Sequence, residues 1–279
     1  MSADDRVVVV GGGLSGLLTG VELLRRGADV TVVEASGSPG GVAATVHEAG
    51  YVLEPAAGTL LLPHPHLSPI LAAAGVPLVE APAAARRRWV YRHGRLIEMR
   101  ESPAMIASPV LSIAAKLRVL REPWIGRLDS IEDESLLSFA IRRLGTEAGE
   151  LLATLMAHGV FAGDPASMSA RASFPGLVAL EDESSSVIRG AIGRIRRRPR
   201  GTRRPAAHHG PHAMSGVATA LAAALGPRFR PAWPVTRVTR ADDGWEVQGK
   251  EAIGAAAVIV ALAPVAAAAL VPTGLSDVL

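Results

Sequence analysis

Gly11, Gly13 and Gly16 stand at the spacing G-x-G-x-x-G, and an acid, Glu34, follows 18 positions after the last of them. Glycine at these places suits a ligand that carries a pyrophosphate. The first allows a tight turn, the second removes a side chain where phosphate must meet backbone, and the third lets a helix lie close on a strand. A carboxylate at Glu34 suits a ribose hydroxyl. A helix opening after the turn would add unpaired N–H groups and a dipole that favours anions.

These residues can act together only between a strand and a helix. Arg6–Val10 is an apolar run with strand character. Leu14–Arg26 has helical patterning and stops at Gly27, and Asp29–Glu34 reads as a second strand that ends on the acid. The spacing alone is weak, but strand, turn, helix, strand and acid in that order define a Rossmann unit. In the next loop, Gly40 and Gly41 allow close passage along a bound cofactor, and Thr45 offers a hydroxyl nearby.

The unit E-A-S-x-x-x-G-G-x-x-x-T, running from Glu34 to Thr45, resembles the flavoprotein amine oxidase superfamily, whose members bind FAD. The stretch Gly159–Leu177 resembles the oxygen-using, FAD-dependent protoporphyrinogen oxidase family: a G-x-[YF]-A-G-D-P element ending at Asp164-Pro165, then a serine, Phe174-Pro175 and the acid Glu181. The similarity runs from Arg6 to about Val271.

It implies an α/β fold with an FAD-type, doubly wound Rossmann domain built from two separated segments, a mainly helical insertion, and a chain that is C-terminally incomplete. The expected division is 1–62 and 209–279 for the FAD domain, 63–101 for a substrate-domain segment, 102–190 for the helical insertion and 191–208 for a basic mobile loop. The resemblance assigns the cofactor to Gly11, Gly13, Gly16, Glu34, Gly40, Gly41, Thr45 and Val235, the last through its backbone at the adenine. The implied reaction is oxidation of protoporphyrinogen IX by FAD with oxygen as acceptor. The flavin carries the chemistry, so no side chain is named as general acid or base.

Two segments depart from the family pattern: Pro55–Thr59 replaces a Gly-Pro-Asn element, and a Gly-Gly pair is missing at His212-Ala213. With the expected C-terminal loss, they lead to an expectation of weak flavin retention and little turnover. The rivals are another superfamily enzyme, such as an amine oxidase or carotenoid desaturase, and a non-catalytic remnant with nucleotide-binding ability.

Composition narrows the rest. The chain has 279 residues, of which 49% are hydrophobic and 4% aromatic, enough for a large core filled mainly by aliphatic side chains. The absence of cysteine excludes disulfides and thiol chemistry. A net charge of +3 with clustered arginine fits an acidic ligand, a membrane surface or neither. The N-terminus lacks a signal-peptide pattern, giving an expectation of a cytoplasmic protein. The uncharged run Ala252–Val271 is broken by Gly254 and Pro264, and reads as a buried strand at Val258–Leu262 followed by a helix rather than as a membrane span.

His64 and His66 lie among prolines without further ligands, so no metal site is expected. Arg86–Leu96 reads as a hairpin with arginines on one face, near an anionic substrate or in solvent. Arg194–Arg204 lacks aromatic interleaving, and no nucleic-acid partner is expected. Ala104–Leu120, with Lys116, Arg118, Arg121 and Trp124 at its end, suits either a peripheral contact with the cytoplasmic membrane or an ordinary helical core. Asp164-Pro165 reads as the N-cap and first residue of a short helix ending before Pro175.

Overall fold

Arg6–Val10 (β1), Leu14–Arg25 (α1) and Asp29–Val33 (β2) open the chain in the computed structural model, which describes residues 5–92, 94–99, 109–128, 133–197, 199, 201 and 205–271. Short strands follow at Val46–Glu48 (β3), Tyr51–Leu53 (β4) and Leu60–Leu62 (β5), then a helix at Leu67–Ala73 (α2) and a strand at Val79–Glu80 (β6). The middle holds a hairpin, Arg88–Arg92 (β7) and Arg95–Met99 (β8). Six helices come next: Ile113–Leu120 (α3), Leu136–Leu144 (α4), Thr146–Phe161 (α5), Ala170–Ser173 (α6), Pro175–Ser184 (α7) and Val187–Arg197 (α8). The chain returns through Ala206–His209 (β9), Ala213–Leu225 (α9), Phe229–Arg230 (β10), Arg237–Ala241 (β11), Gly244–Gln248 (β12), Ala252–Ala255 (β13), Ala257–Val260 (β14) and Pro264–Ala268 (α10). Two units result, a split unit of Met1–Pro82 with Arg203–Leu279 and an inserted unit of Ala83–Thr202.

In the split unit a four-stranded parallel sheet runs β10-β2-β1-β14, with Val9 opposite Val32 on one side and Ile259 on the other. Alternation along β1 sends successive valines to opposite faces. Val9, Val30 and Val32 join Leu17 and Val21 of α1 and Met214, Val217, Leu221 and Leu225 of α9 in one buried cluster. Val8, Val10 and Val33 face the antiparallel sheet β11-β12-β13, packing with Trp233, Val238, Val247 and Ile253. The sheet is thus buried on both faces, which is why Val7–Val10 of β1 is a continuous apolar run rather than alternating. The α9 spacing 214, 217, 218, 221, 225 is the stripe a helix needs to lie on that face, and each such Leu contributes about 1.5–3 kcal/mol on burial.

β14 and α10 fall where the strand and the proline-opened helix are expected, and among the described residues no helix is long and apolar enough to cross a membrane. Residues 63–82 group with the split unit, because β9 pairs with both β5 and β6 and draws α2 in with them. The expected basic loop is shorter than 191–208. α8 continues to Arg197, held on α7 by an Arg194–Glu183 ion pair at 2.7 Å, and β9 already includes His208 and His209. Residues 198, 200 and 202–204 of that stretch lie outside the described residues.

Asp164 does not cap a helix. Its Oδ1 accepts the Ala166 N–H at 3.0 Å in a turn, and the cap is Ser169, whose side chain accepts the Ala172 N–H at the start of α6. Of the apolar segment Ala104–Leu120, residues 104–108 lie outside the described residues, and α3 starts at Ile113 behind a Ser112 cap. In the β7–β8 hairpin Arg87 pairs with Glu98 at 3.6 Å, while the side chains of Arg86, Arg88 and Arg92 lie outside the described set.

Candidate dinucleotide site

The glycine turn joins β1 to α1 at the carboxyl end of the parallel strands. Gly11 has φ +111°, a backbone that side chains avoid, and a Cβ there would lie 2.6 Å from the Ala261 carbonyl oxygen. A Cβ on Gly16 would lie 1.9 Å from the Gly11 oxygen, so the close helix–strand approach depends on its absence. Gly13 is different. Its backbone is extended and suits any residue, and a Cβ there would meet nothing nearer than the Gly40 oxygen at 3.9 Å. The fold does not need glycine at 13; a ligand approaching the backbone does.

Gly13 also caps α1 without a side-chain hydrogen bond, and no acid lies in the first turn. No side chain therefore competes for the first N–H groups of α1, and the positive end of the dipole lies behind them. Glu34 stands beside this point. One carboxylate oxygen accepts the Gly12 N–H at 2.6 Å, and the other accepts the Ser36 N–H and hydroxyl at 2.8 and 2.7 Å. A carboxylate has about four acceptor sites, so Glu34 held in this way can still accept from ribose hydroxyls.

Gly40 and Gly41 close the other flank. Gly40 bridges Gly13 and donates its N–H to the Gly12 oxygen at 2.8 Å, and a Cβ on Gly41 would lie 3.2 Å from the Gly13 Cα. The structure thus brings Gly11, Gly13, Gly16, Glu34, Gly40 and Gly41 together. Thr45 goes elsewhere. Its hydroxyl donates to Glu54 at 3.1 Å and accepts the Ser215 N–H at 3.0 Å, tying the loop to α9 rather than offering a free donor. Val235, partly buried, packs against the cluster that holds Trp233, while the Trp233 N–H donates to the Glu34 carbonyl at 2.7 Å.

Three participants escaped the sequence reading. Gly12 donates to Glu34, and a Cβ on it would meet the Glu34 Cβ at 2.7 Å. Ser36 fixes the second carboxylate oxygen; a hydroxyl two residues beyond the acid was the available signal. Glu54 and the start of α9 meet only through the tertiary fold, since Glu54 and Met214 are 160 positions apart. Ala213, where the family has glycine, has φ +57°, the left-handed region that favours glycine.

The histidines serve local structure. His64 Nδ1 accepts the N–H groups of His66 and Leu67, and among the described residues no group of three or more His, Asp or Glu could hold a metal ion.

The inserted unit has a cleft of about 590 Å³ lined by charges that pair with one another. Arg142 bonds Glu134 at 2.7 Å and Glu181 at 2.8 Å, and Arg171 bonds Asp182 at 3.1 Å. Behind it Arg143, 1% exposed, pairs with Glu122 and Glu181. Burial pushes the Glu122 carboxyl up, but hydrogen bonds from Ser186, Arg143 and the N–H groups of Val187 and Ile188 outweigh it and hold Glu122 below its ordinary value.

Comparison with known proteins identifies the family. The profile of the flavin containing amine oxidoreductases matches residues 14–278. The chain is 33% identical over 195 residues to protoporphyrinogen oxidase 2, chloroplastic/mitochondrial, of Arabidopsis thaliana, covering 67% of this chain and 38% of the relative. It is 31% identical over 265 residues to the chloroplastic protoporphyrinogen oxidase of Oryza sativa subsp. japonica, covering 87% and 48%. The chain therefore spans less than half the length of these relatives. A solved structure from Exiguobacterium sp. 255-15 superposes with a TM-score of 0.71 at 23% identity, over 97% of this chain and 62% of that one, a likeness of fold.

Proposed function

Because the chain belongs to the flavin-containing amine oxidoreductase family, with FAD as its cofactor, we propose that the split unit holds FAD along its glycine face in an oxidase that acts on a porphyrinogen. The substrate we assign is protoporphyrinogen IX, oxidised to protoporphyrin IX with oxygen as acceptor; in support, the Arabidopsis and rice relatives are named protoporphyrinogen oxidases. The observation that carries the cofactor assignment is the uncapped start of α1 beside a bare Gly13, framed by Glu34 and Gly40.

The chain's own groups then have distinct tasks. The N–H groups at the start of α1 hold the pyrophosphate, Glu34 accepts from the ribose, and the backbone near Val235 borders the adenine. Gly40 and Gly41 cover the turn and keep water from the phosphates. When bound, FAD supplies an acceptor for hydride equivalents, with oxygen taking the electrons on as hydrogen peroxide. No side chain is assigned a proton transfer.

A peripheral contact with the cytoplasmic membrane belongs to the same proposal. Ile113, Leu117 and Leu120 form an exposed apolar stripe along α3, continued by Trp124, which is 77% exposed. Lys116 and Arg121 flank it. Arg118 is turned inward, donating to the carbonyls of Arg142 and Arg143. An apolar face with a tryptophan and basic neighbours suits an anionic lipid surface. Flotation with anionic vesicles at low salt should carry the chain upward, and Leu117→Glu should leave it at the bottom.

The test of the cofactor reading is direct titration. Wild-type chain should bind ADP and FAD, and Gly13→Val, still folded, should fail to saturate at concentrations that fill the wild type. Oxidase activity is read as protoporphyrin fluorescence appearing from protoporphyrinogen under air. A folded Gly13→Val variant that binds as well as wild type would remove the site.

A further inference from the structure

We propose that the bend at Pro231–Trp233 is the positioning element of the ribose acid: it fixes the main chain at Glu34 and so aims the carboxylate at the sugar hydroxyls of the dinucleotide. The inference rests on the dinucleotide site proposed above and names what sets its preference for an intact ribose.

Glu34 lies one residue beyond the end of β2, where strand pairing ordinarily lapses. Here it continues. β10 pairs in parallel with Val32 and Val33, and the Glu34 N–H then donates to the Arg230 carbonyl at 3.0 Å. The Trp233 N–H donates to the Glu34 carbonyl at 2.7 Å, and the Ala232 N–H donates to the Ser36 carbonyl at 2.7 Å. Both main-chain groups of Glu34 thus end on one distant segment. The carboxylate itself is steered by Gly12 and Ser36, and Ser36 is in turn held by Ala232.

Three features suit the bend to this task. Pro231 and Pro234 carry no N–H, so residues 231–234 have two backbone donors, and both are spent on the Glu34 loop. Consecutive N–H groups of an extended chain point to opposite sides. Ala232 has φ +51°, in the left-handed region, and this turn lets two neighbouring N–H groups reach one loop. A residue with a Cβ adopts that backbone at a cost, and such strain persists where the surrounding structure holds it. The hold is Trp233, buried in the cluster that contains Val8, Val10 and Val33. Gly249 makes room for its indole, since a Cβ there would lie 2.5 Å from the ring. All of these residues lie in the split unit.

Calorimetry with ADP and with 2′,3′-dideoxy-ADP, which lacks both ribose hydroxyls, gives the test. Wild type should prefer ADP. Ala232→Val puts a branched side chain where the left-handed backbone disfavours it. The bend should then open and ADP affinity fall about ten-fold, with dideoxy-ADP affinity unchanged. Ala232→Gly takes the same backbone without strain and should keep the preference for ADP. A merely structural bend would cost both ligands alike in Ala232→Val. That result overturns the inference, as does no loss for either ligand, or loss of the preference in both variants. Wild type that binds the two ligands equally leaves no preference for the bend to set and overturns it too. Wild type that binds neither ligand would instead overturn the dinucleotide reading beneath it. Should Ala232→Val not fold, amide exchange in wild type decides. Coupling between ligand and bend is reciprocal, so saturating ADP should slow exchange of the Ala232 and Trp233 N–H groups more than saturating dideoxy-ADP does. Equal slowing or none overturns the inference.

Discussion

The glycine turn of the split unit and the Arg143 cluster of the inserted unit handle polar groups beside apolar cores in opposite ways. At the turn, side chains are missing, the N–H groups at the start of α1 lack a side-chain cap, and the space over Gly13 is open. At Arg143, every donor is used. Its guanidinium reaches Glu122, Glu181 and the carbonyl oxygens of Ile125 and Ser185, while Glu122 also takes the Ser186 hydroxyl and two backbone N–H groups. A place built for a ligand leaves its hydrogen bonds unmade; a place built to lock helices together makes all of them. That difference, rather than charge or burial alone, separates site from scaffold here.

The largest expected effect breaks the scaffold. Arg143→Met leaves Glu122 buried without its cation and Glu181 with Arg142 alone, and removing one partner of such a buried pair costs about 3–5 kcal/mol. Urea unfolding should show that loss, with hydrogen exchange rising in α4 and α7. A loss below about 1 kcal/mol would put the cluster outside the stability of the unit.

Alanine at the last two of the three motif glycines sharpens the contrast within the turn. Gly16→Ala forces a Cβ into the Gly11 carbonyl and should cost about 1–3 kcal/mol. Gly13→Ala, facing open space, should melt with wild type while weakening ADP binding. If both variants melt alike, the turn's glycines have no separate structural and ligand-facing roles.

Acid should separate the two regions next. Glu122 is held below its ordinary value, so the stability it contributes is complete above the unfolded glutamate range, near pH 4.3, and is lost as pH falls through its lower folded value. Stability of the inserted unit should therefore fall on acidification, and Glu122→Gln should flatten that slope while lowering stability at neutral pH. An unchanged slope would assign acid sensitivity to other carboxylates.

The smallest effect lies at the edge of the site. Ala213 holds a left-handed backbone, and Ala213→Gly relieves it, with a gain in stability of up to about 1 kcal/mol once the added freedom of the unfolded chain is counted. A lower melting temperature would show that the methyl group is needed for packing.

The legibility of these regions in the sequence follows the same division. The turn was readable because its parts are neighbours. Three glycines, the flanking strand and helix, and an acid at the end of the next strand lie within one βαβ unit, where local sterics set the spacing. β14 and α10 were readable from an uncharged run broken by Pro264. The Arg143 cluster was not readable. Its members come from 122, 143, 181 and 186, and a buried ion pair looks in sequence like any surface charge.

By itself, then, the sequence determined the β1–turn–α1–β2 unit and the placing of Glu34 beside its glycine turn, because backbone conformation and steric exclusion act over a few residues. Only the tertiary structure decided that Thr45 would bond to α9, that Glu54 would keep one oxygen enclosed and unpaired, and that β9 would join β5 and β6 instead of continuing a loop. Those outcomes depend on which distant segments meet. Such meetings are set by the fit of whole buried faces, and no short stretch of the chain encodes them alone.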